Sequence, residues 1–263
     1  MYEMTIDPTN RRQKMRKGIY ILPNLFTTAN LLCGFYSIII AMKGDYFMAA
    51  VPLLIAFVMD GLDGRIARFT NTTSKFGAEY DSLSDLVAFG VAPAILVYTW
   101  GLTEFGKWGW IAASLFVICG ALRLARFNVQ IGIVESKVFN GLPIPAAASV
   151  VATGIMLYSY LGGEGKYHHI AILIGVFVIA LLMVSNIKYY SFKDLNFFAK
   201  KPFMSFLLIV CIMIIVVAEK EIMIFTFALG YALSGPSWYL FKLGRNFVSE
   251  TRLKHSSVLK QNK

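Results

Sequence analysis

The sequence predicts an all-α integral membrane protein, a polytopic helical bundle of about eight spans with both termini in the cytoplasm. Three observations carry that expectation. Apolar residues make up 57% of the 263-residue chain and charged residues only 15%, against roughly 25% charged in soluble domains. The apolar residues gather in runs close to the ~20 residues a helix needs to cross a hydrocarbon core. The bases fall on alternate connections between those runs, 21 on one side and 4 on the other, which places the richer side in the cytoplasm.

Residues 1–20 are polar and basic, and NRRQKMRK at 10–17 either begins an interfacial helix or forms a basic tail. No small-residue cleavage site trails the next apolar run, so no removable signal is expected. Spans are expected over 21–42, 46–66, 82–100, 108–127, 144–162, 168–186, 203–218 and 222–241. The seventh is short and flanked by Lys200, Lys201, Glu219 and Lys220. The tail from Arg245 reads as solvated, and the links leave no room for a soluble domain. Phe and Tyr, 21 and 13 in number, suit interfacial belts.

The net charge of +10 does not indicate nucleic acid, because the bases cluster between apolar runs and so face an anionic leaflet. Cys33, Cys119 and Cys211 lie inside apolar runs without zinc spacing, and read as reduced. Asn71-Thr72-Thr73 matches a glycosylation acceptor by chance, since it lies on the cytoplasmic side. His168 and His169 show no acidic partner nearby in sequence and read as interfacial rather than metal-ligating.

One stretch departs from this apolar pattern. Residues 60–85, DGLDGRIARFTNTTSKFGAEYDSLSD, hold five acids and three bases between apolar segments. Asp60 and Asp63 are spaced i, i+3, and Asp81 and Asp85 are spaced i, i+4, so each pair shares a helix face. Antiparallel neighbours joined by a short link would bring both pairs to one depth. Two unit charges at 4 Å repel by about 4 kcal/mol at an effective dielectric near 20. Four carboxylates must therefore share protons or surround divalent cations, and an all-oxygen site suits Mg²⁺ or Mn²⁺, one ion or two. Gly64 and Ala67 leave a helix face bare, Arg68 can meet a phosphate, and Gly77 is expected where a loop enters a helix tightly. Asp81 and Ser82 are expected in that helix's first turn, where acids are favoured. Two other readings stand beside catalysis. The charges form a structural cluster with Arg65 and Arg68, or they mark an ion pathway of a transporter.

The pattern Asp60-x2-Asp63-Gly64-x2-Ala67-Arg68-x8-Gly77-x3-Asp81-x3-Asp85 resembles the signature of the CDP-alcohol phosphatidyltransferases at all eight fixed positions. Four further segments resemble its membrane-bound phosphatidylserine synthase branch: LPNLFTTANLLCGF (22–35), ALRLARFN (121–128), FNGLPIPAAA (139–148) and MVSNIKYYSFK (183–193). The resemblance implies a six-helix core over 21–193, an added C-terminal hairpin over 194–242, and basic cytoplasmic ends at 1–20 and 243–263. It also implies a homodimer in the cell membrane with its site facing the cytoplasm.

By the same resemblance, Asp60, Asp63, Asp81 and Asp85 hold Mg²⁺ or Mn²⁺ on the diphosphate of CDP-diacylglycerol, and Asp85 is the general base. Asn24, Thr27, Gly64, Ala67, Arg68 and Gly77 would line the CDP diphosphate. Family members with a phosphate-bearing acceptor often carry arginine at the position of Asn30. A neutral side chain there implies an acceptor such as L-serine, with glycerol 3-phosphate or an inositol phosphate as the alternatives. Arg123 and Arg126, with Asn128, are the candidates for the serine carboxylate. They compete with a role as positive-inside anchors, and Lys137 and Lys188 are weaker candidates.

Overall fold

The computed structural model describes residues 21–69, 74–130, 138–190 and 219–261, and within them the chain is almost entirely helical. Helix α1 (Ile21–Met42) turns back into α2 (Tyr46–Phe69). The turn closes with Lys43 N donating to Ile40 O at 3.0 Å and Gly44 N to Ala41 O at 3.1 Å. Gly44 sits at φ +86°, a conformation that costs a side chain-free residue nothing. Asp45 Oδ1 then accepts from Met48 N at 3.1 Å, capping the start of α2.

The two helices are pressed together by small residues. Ala41, Ala49, Ala50 and Ala56 are at most 1% exposed, and Ser37 Oγ donates across the pair to Ala49 O at 2.6 Å. In a bilayer, helices gain little from burying apolar area against each other, so close backbone approach through small residues takes its place.

A single helical run from Lys75 to Phe105 follows. It comprises α3 (Lys75–Asp85), a π-helical turn (Leu86–Val91), α4 (Ala92–Val97), a second π turn (Tyr98–Leu102) and a 3₁₀ turn (Thr103–Phe105). A Cβ placed on Gly34 of α1 would lie 2.5 Å from Ala88 Cα in the first π turn, so the two backbones touch there. Helix α5 (Lys107–Gln130) leads to strand β1 (Val138–Asn140), then α6 (Ile144–Tyr160), α7 (Ile170–Val184), strand β2 (Lys188–Tyr190) and α8 (Lys220–Gln261).

Strands β1 and β2 pair antiparallel, Phe139 opposite Tyr189, and bring together the connectors after α5 and α7. Gly141, at φ +80°, follows β1. Its amide donates to Ile187 O at 2.8 Å. Tyr189 is 1% exposed, and its hydroxyl donates to Ala232 O of α8 at 2.9 Å. Burial pushes that phenol up to about 12, so it remains a donor at physiological pH.

Asn24–Met42, Lys75–Phe105 and Lys107–Gln130 are long and apolar enough to cross a membrane, and Tyr46–Leu62, Ile144–Tyr160 and Ile170–Val184 are shorter apolar helices. This is a helical protein of membrane type. The segments 10–17 and 71–73, the run 203–218 and Cys211 lie outside the described residues, while Cys33 and Cys119 are free thiols.

Two expectations change, the start of the third helix and the partner of His168. The third helix starts at Lys75, because Ser74 caps it by accepting from Gly77 N at 2.9 Å. Gly77 is thus the third residue of the helix rather than part of a loop. Asp81 and Ser82 fall in its middle, not its first turn. His168 does have an acidic partner, Glu104, with Nε2 to Oε1 at 2.9 Å. Sequence separation hid the pair, which joins the end of one helical run to the start of another. The tail from Arg245, expected to be solvated, is helical to Gln261.

Candidate active site

Helices α2 and α3 each bring acids to one place. Asp60 from α2 and Asp81 and Asp85 from α3 each offer a carboxylate oxygen, and these oxygens all lie within 4.8 Å of one another. At that separation each pair of full charges repels by about 3 kcal/mol at an effective dielectric near 20. Asp85 is 9% exposed, which removes part of the water that would otherwise screen it. Three close carboxylates with partial burial form a hard, all-oxygen donor set that could hold a divalent cation. Asp63, Gly64, Ala67 and Arg68 lie on the last turns of α2, beyond the described side chains.

Helix α1 holds α3 in register through a series of polar contacts about one turn apart. Asn24 Oδ1 would be in ordinary contact, 3.4 Å, with a Cβ on Gly77, while the cap's Ser74 Oγ would be tighter at 3.1 Å. Thr28 Oγ1 lies 3.0 Å from the Tyr80 hydroxyl. Ser84 Oγ donates to Thr27 O at 2.9 Å. At the inner end, Asn30 Nδ2 donates to Asp85 Oδ1 at 3.0 Å, and Asn30 is fully buried at 0% exposure. The hydrogen bond joins a neutral donor to a carboxylate, the stronger, charge-assisted kind.

Helix α5 meets α3 at Ser82. Asn128 and Ser82 exchange hydrogen bonds, Nδ2 to Oγ at 2.9 Å, and Ser82 directly follows Asp81 in the chain. Arg126 Nη2 donates to Asn186 Oδ1 at 2.7 Å. Arg123 is 8% exposed, and its Nε donates to the Leu142 carbonyl. The structure therefore bonds Asn128 to Ser82 of α3, links Arg126 to the connector before β2, and commits one edge of Arg123 to the connector before α6. Lys188 is in β2 and Lys137 lies outside the described residues.

Several participants were not singled out from the sequence. Thr28, Tyr80 and Ser84 form α1–α3 contacts, while Ser82, expected from the sequence as a first-turn residue, instead bonds to α5. Their signal was present as polar residues at helical spacing within apolar runs, on the same stretches as Thr27, Asn30 and Asp85. Asn186 had no such signal, because its partner is 60 positions away.

The family model of the CDP-alcohol phosphatidyltransferases matches residues 20–184. The chain belongs to this family. The match covers every helix from α1 to α7, and leaves β2 and α8 outside. A CDP-diacylglycerol–serine O-phosphatidyltransferase of Helicobacter pylori is 42% identical over 181 residues, which is 68% of this chain and 75% of the relative. A protein of the same name from Methanocaldococcus jannaschii is 40% identical over 174 residues, 66% of this chain and 75% of its own. An archaetidylserine synthase of Methanothermobacter thermautotrophicus is 38% identical over 170 residues, 64% of this chain and 69% of its own. In this CDP-alcohol phosphatidyltransferase the three clustered acids come from α2 and α3, both inside the matched residues.

Proposed function

We propose that this phosphatidyltransferase moves the phosphatidyl group of CDP-diacylglycerol to the hydroxyl of L-serine, giving phosphatidylserine and CMP. The observation that carries the chemistry is the meeting of Asp60, Asp81 and Asp85 within 4.8 Å at signature positions. The acceptor is supported by relatives named for serine and by the neutral Asn30 beside Asp85.

Asp60, Asp63, Asp81 and Asp85 would hold one or two Mg²⁺ or Mn²⁺ ions. Such an ion, when bound, supplies positive charge against the diphosphate and the departing CMP. Asp85 takes the proton of the serine hydroxyl as its oxygen attacks the phosphorus that carries the diacylglycerol. The new O–P bond forms while the P–O bond to CMP breaks, and CMP leaves with that electron pair. Asn30 fixes the rotation of the Asp85 carboxylate through its amide. Asn24, Thr27, Gly64, Ala67 and Gly77 form the wall that the nucleotide approaches, and Arg68 meets the diphosphate. Arg123, Arg126 and Asn128 meet the serine carboxylate, with Asn186 holding Arg126 in place.

The architecture proposed around this chemistry has about eight spans with both termini cytoplasmic, in the cell membrane, as a homodimer. The core is 21–193 and the C-terminal hairpin 194–242, between basic ends at 1–20 and 243–263. Serine then reaches the site from the cytosol while the acyl chains stay in the bilayer.

The test is CMP release by the purified protein with CDP-diacylglycerol, Mg²⁺ or Mn²⁺, and serine, glycerol 3-phosphate or inositol phosphate in turn. Release with serine is expected. Release with glycerol 3-phosphate alone would reassign the acceptor, and none with any acceptor would overturn the enzyme reading.

A further inference from the structure

The family match ends at residue 184, yet the helix beyond it walls a cavity that reaches the acidic cluster. The cavity measures about 440 Å³ and lies between α2, the start of α6 and α8. Helix α8 contributes Ile224, Phe227, Ala228 and Tyr231, spaced i, i+3, i+4 and i+7, one continuous helix face. Helix α2 contributes Phe57 and, one turn on, Asp60, the one charged residue among those lining it. Asp60 is also one of the three clustered carboxylates. One side chain thus belongs both to a polar site and to an apolar chamber.

That junction restricts the occupant. Its apolar part must fill a chamber of a size ordinary for small-molecule sites, about 300–1,000 Å³. Its other end must be anionic enough to meet the acids through a cation. Ile224 and Phe227 remain 36% and 56% exposed, so this wall of the chamber is also part of the protein's apolar surface.

We infer that this chamber takes an acyl chain of the CDP-linked lipid donor, and that the 224–231 face of α8 selects donors by their tails. The inference rests on the reading that the donor is CDP-diacylglycerol, and it gives the last helix a role in substrate choice. A bystander phospholipid offers the same apolar chemistry, so the test must separate a substrate tail from a structural one.

The experiment compares CDP-dioleoylglycerol with CDP-dibutanoylglycerol, at saturating serine, in the purified full chain and in Ala228→Trp. Filling the chamber should raise KM for the dioleoyl donor about tenfold or more, and leave kcat/KM for the dibutanoyl donor within about twofold. Activity on the short donor shows that the variant is folded. Phe227→Ala, which removes the wall instead of filling the space, should raise only the long-tail KM by about threefold or more. Equal losses on both donors, or no change on either, would overturn the inference; the second result is that of a bystander lipid. A wild-type protein releasing no CMP from either donor would refute the proposed function instead.

Discussion

Asn30→Ala isolates the contact that sets the geometry of the proposed base. The amide is 0% exposed and donates to Asp85 Oδ1 at 3.0 Å. A hydrogen bond to a charged group is worth about 1.5–3 kcal/mol. Each 1.36 kcal/mol is tenfold in rate, so if the whole contact serves the transition state, kcat falls roughly tenfold to a hundredfold. The donor's diphosphate does not depend on Asn30 in this arrangement, so KM for CDP-diacylglycerol should stay put. A split of that kind marks an interaction used in the chemical step rather than in uniform binding. The assay is steady-state CMP release with the thermal midpoint measured in the same detergent. Asn30→Asp should be worse than Asn30→Ala, because it sets a second carboxylate about 3 Å from the first, with repulsion near 5 kcal/mol at an effective dielectric of 20. Wild-type kcat in Asn30→Ala would refute the positioning role.

Asp85→Asn should abolish turnover while the labelled donor still binds, and a near-normal rate would remove its assignment as base. Chelation should stop CMP release, and added Mg²⁺ or Mn²⁺ should restore it; activity that survives chelation would exclude the ion's role. Arg126→Ala and Asn186→Ala should each raise the apparent KM for serine, and the double variant should do no worse than Arg126→Ala, since Asn186 acts through Arg126. Additive effects would show that Asn186 works independently. Gly34→Ala sets a Cβ 2.5 Å from Ala88 Cα, and overpacking of that kind costs about 1–3 kcal/mol. The thermal midpoint should drop, and an unchanged midpoint would mean that α1 and the π turn are not held in contact.

Much of the site could be read from the chain because its chemistry is local. Asp81 and Asp85 are one turn apart, Asp60 sits on the preceding span, and a short link forces the two helices to be neighbours. The helices from α1 to α7 were legible for the same reason, since apolar length is a property of each segment alone. What escaped depends on distant partners. His168 and Glu104 are 64 positions apart, and no periodicity relates them. The β1–β2 pair consists of two three-residue strands, too short to show alternation and placed in connectors that read as loops. The start of α3 was misplaced because its first two turns are polar. Lys75, Glu79 and Tyr80 look like a link until Ser74 is recognised as the cap. The face of α8 carrying Ile224, Phe227, Ala228 and Tyr231 was legible as a stripe, but nothing in the chain told which helix it would meet.

The π turn at Leu86–Val91, directly after Asp85, has a consequence for descent as well as for packing. A π turn accommodates one residue more than the α turn it replaces. The chain between the acids and the outer half of this helix therefore carries a surplus residue. Loss of one position within 86–91 can be absorbed by reversion to ordinary α geometry, leaving Asp81 and Asp85 facing Asp60 and the far end facing the same neighbours. Single-residue gaps among related chains should gather there and be absent from 75–85, where the same loss would swing the acids about 100° around the helix axis. Length variation along this one helix would then chart where its backbone answers to chemistry and where only to span.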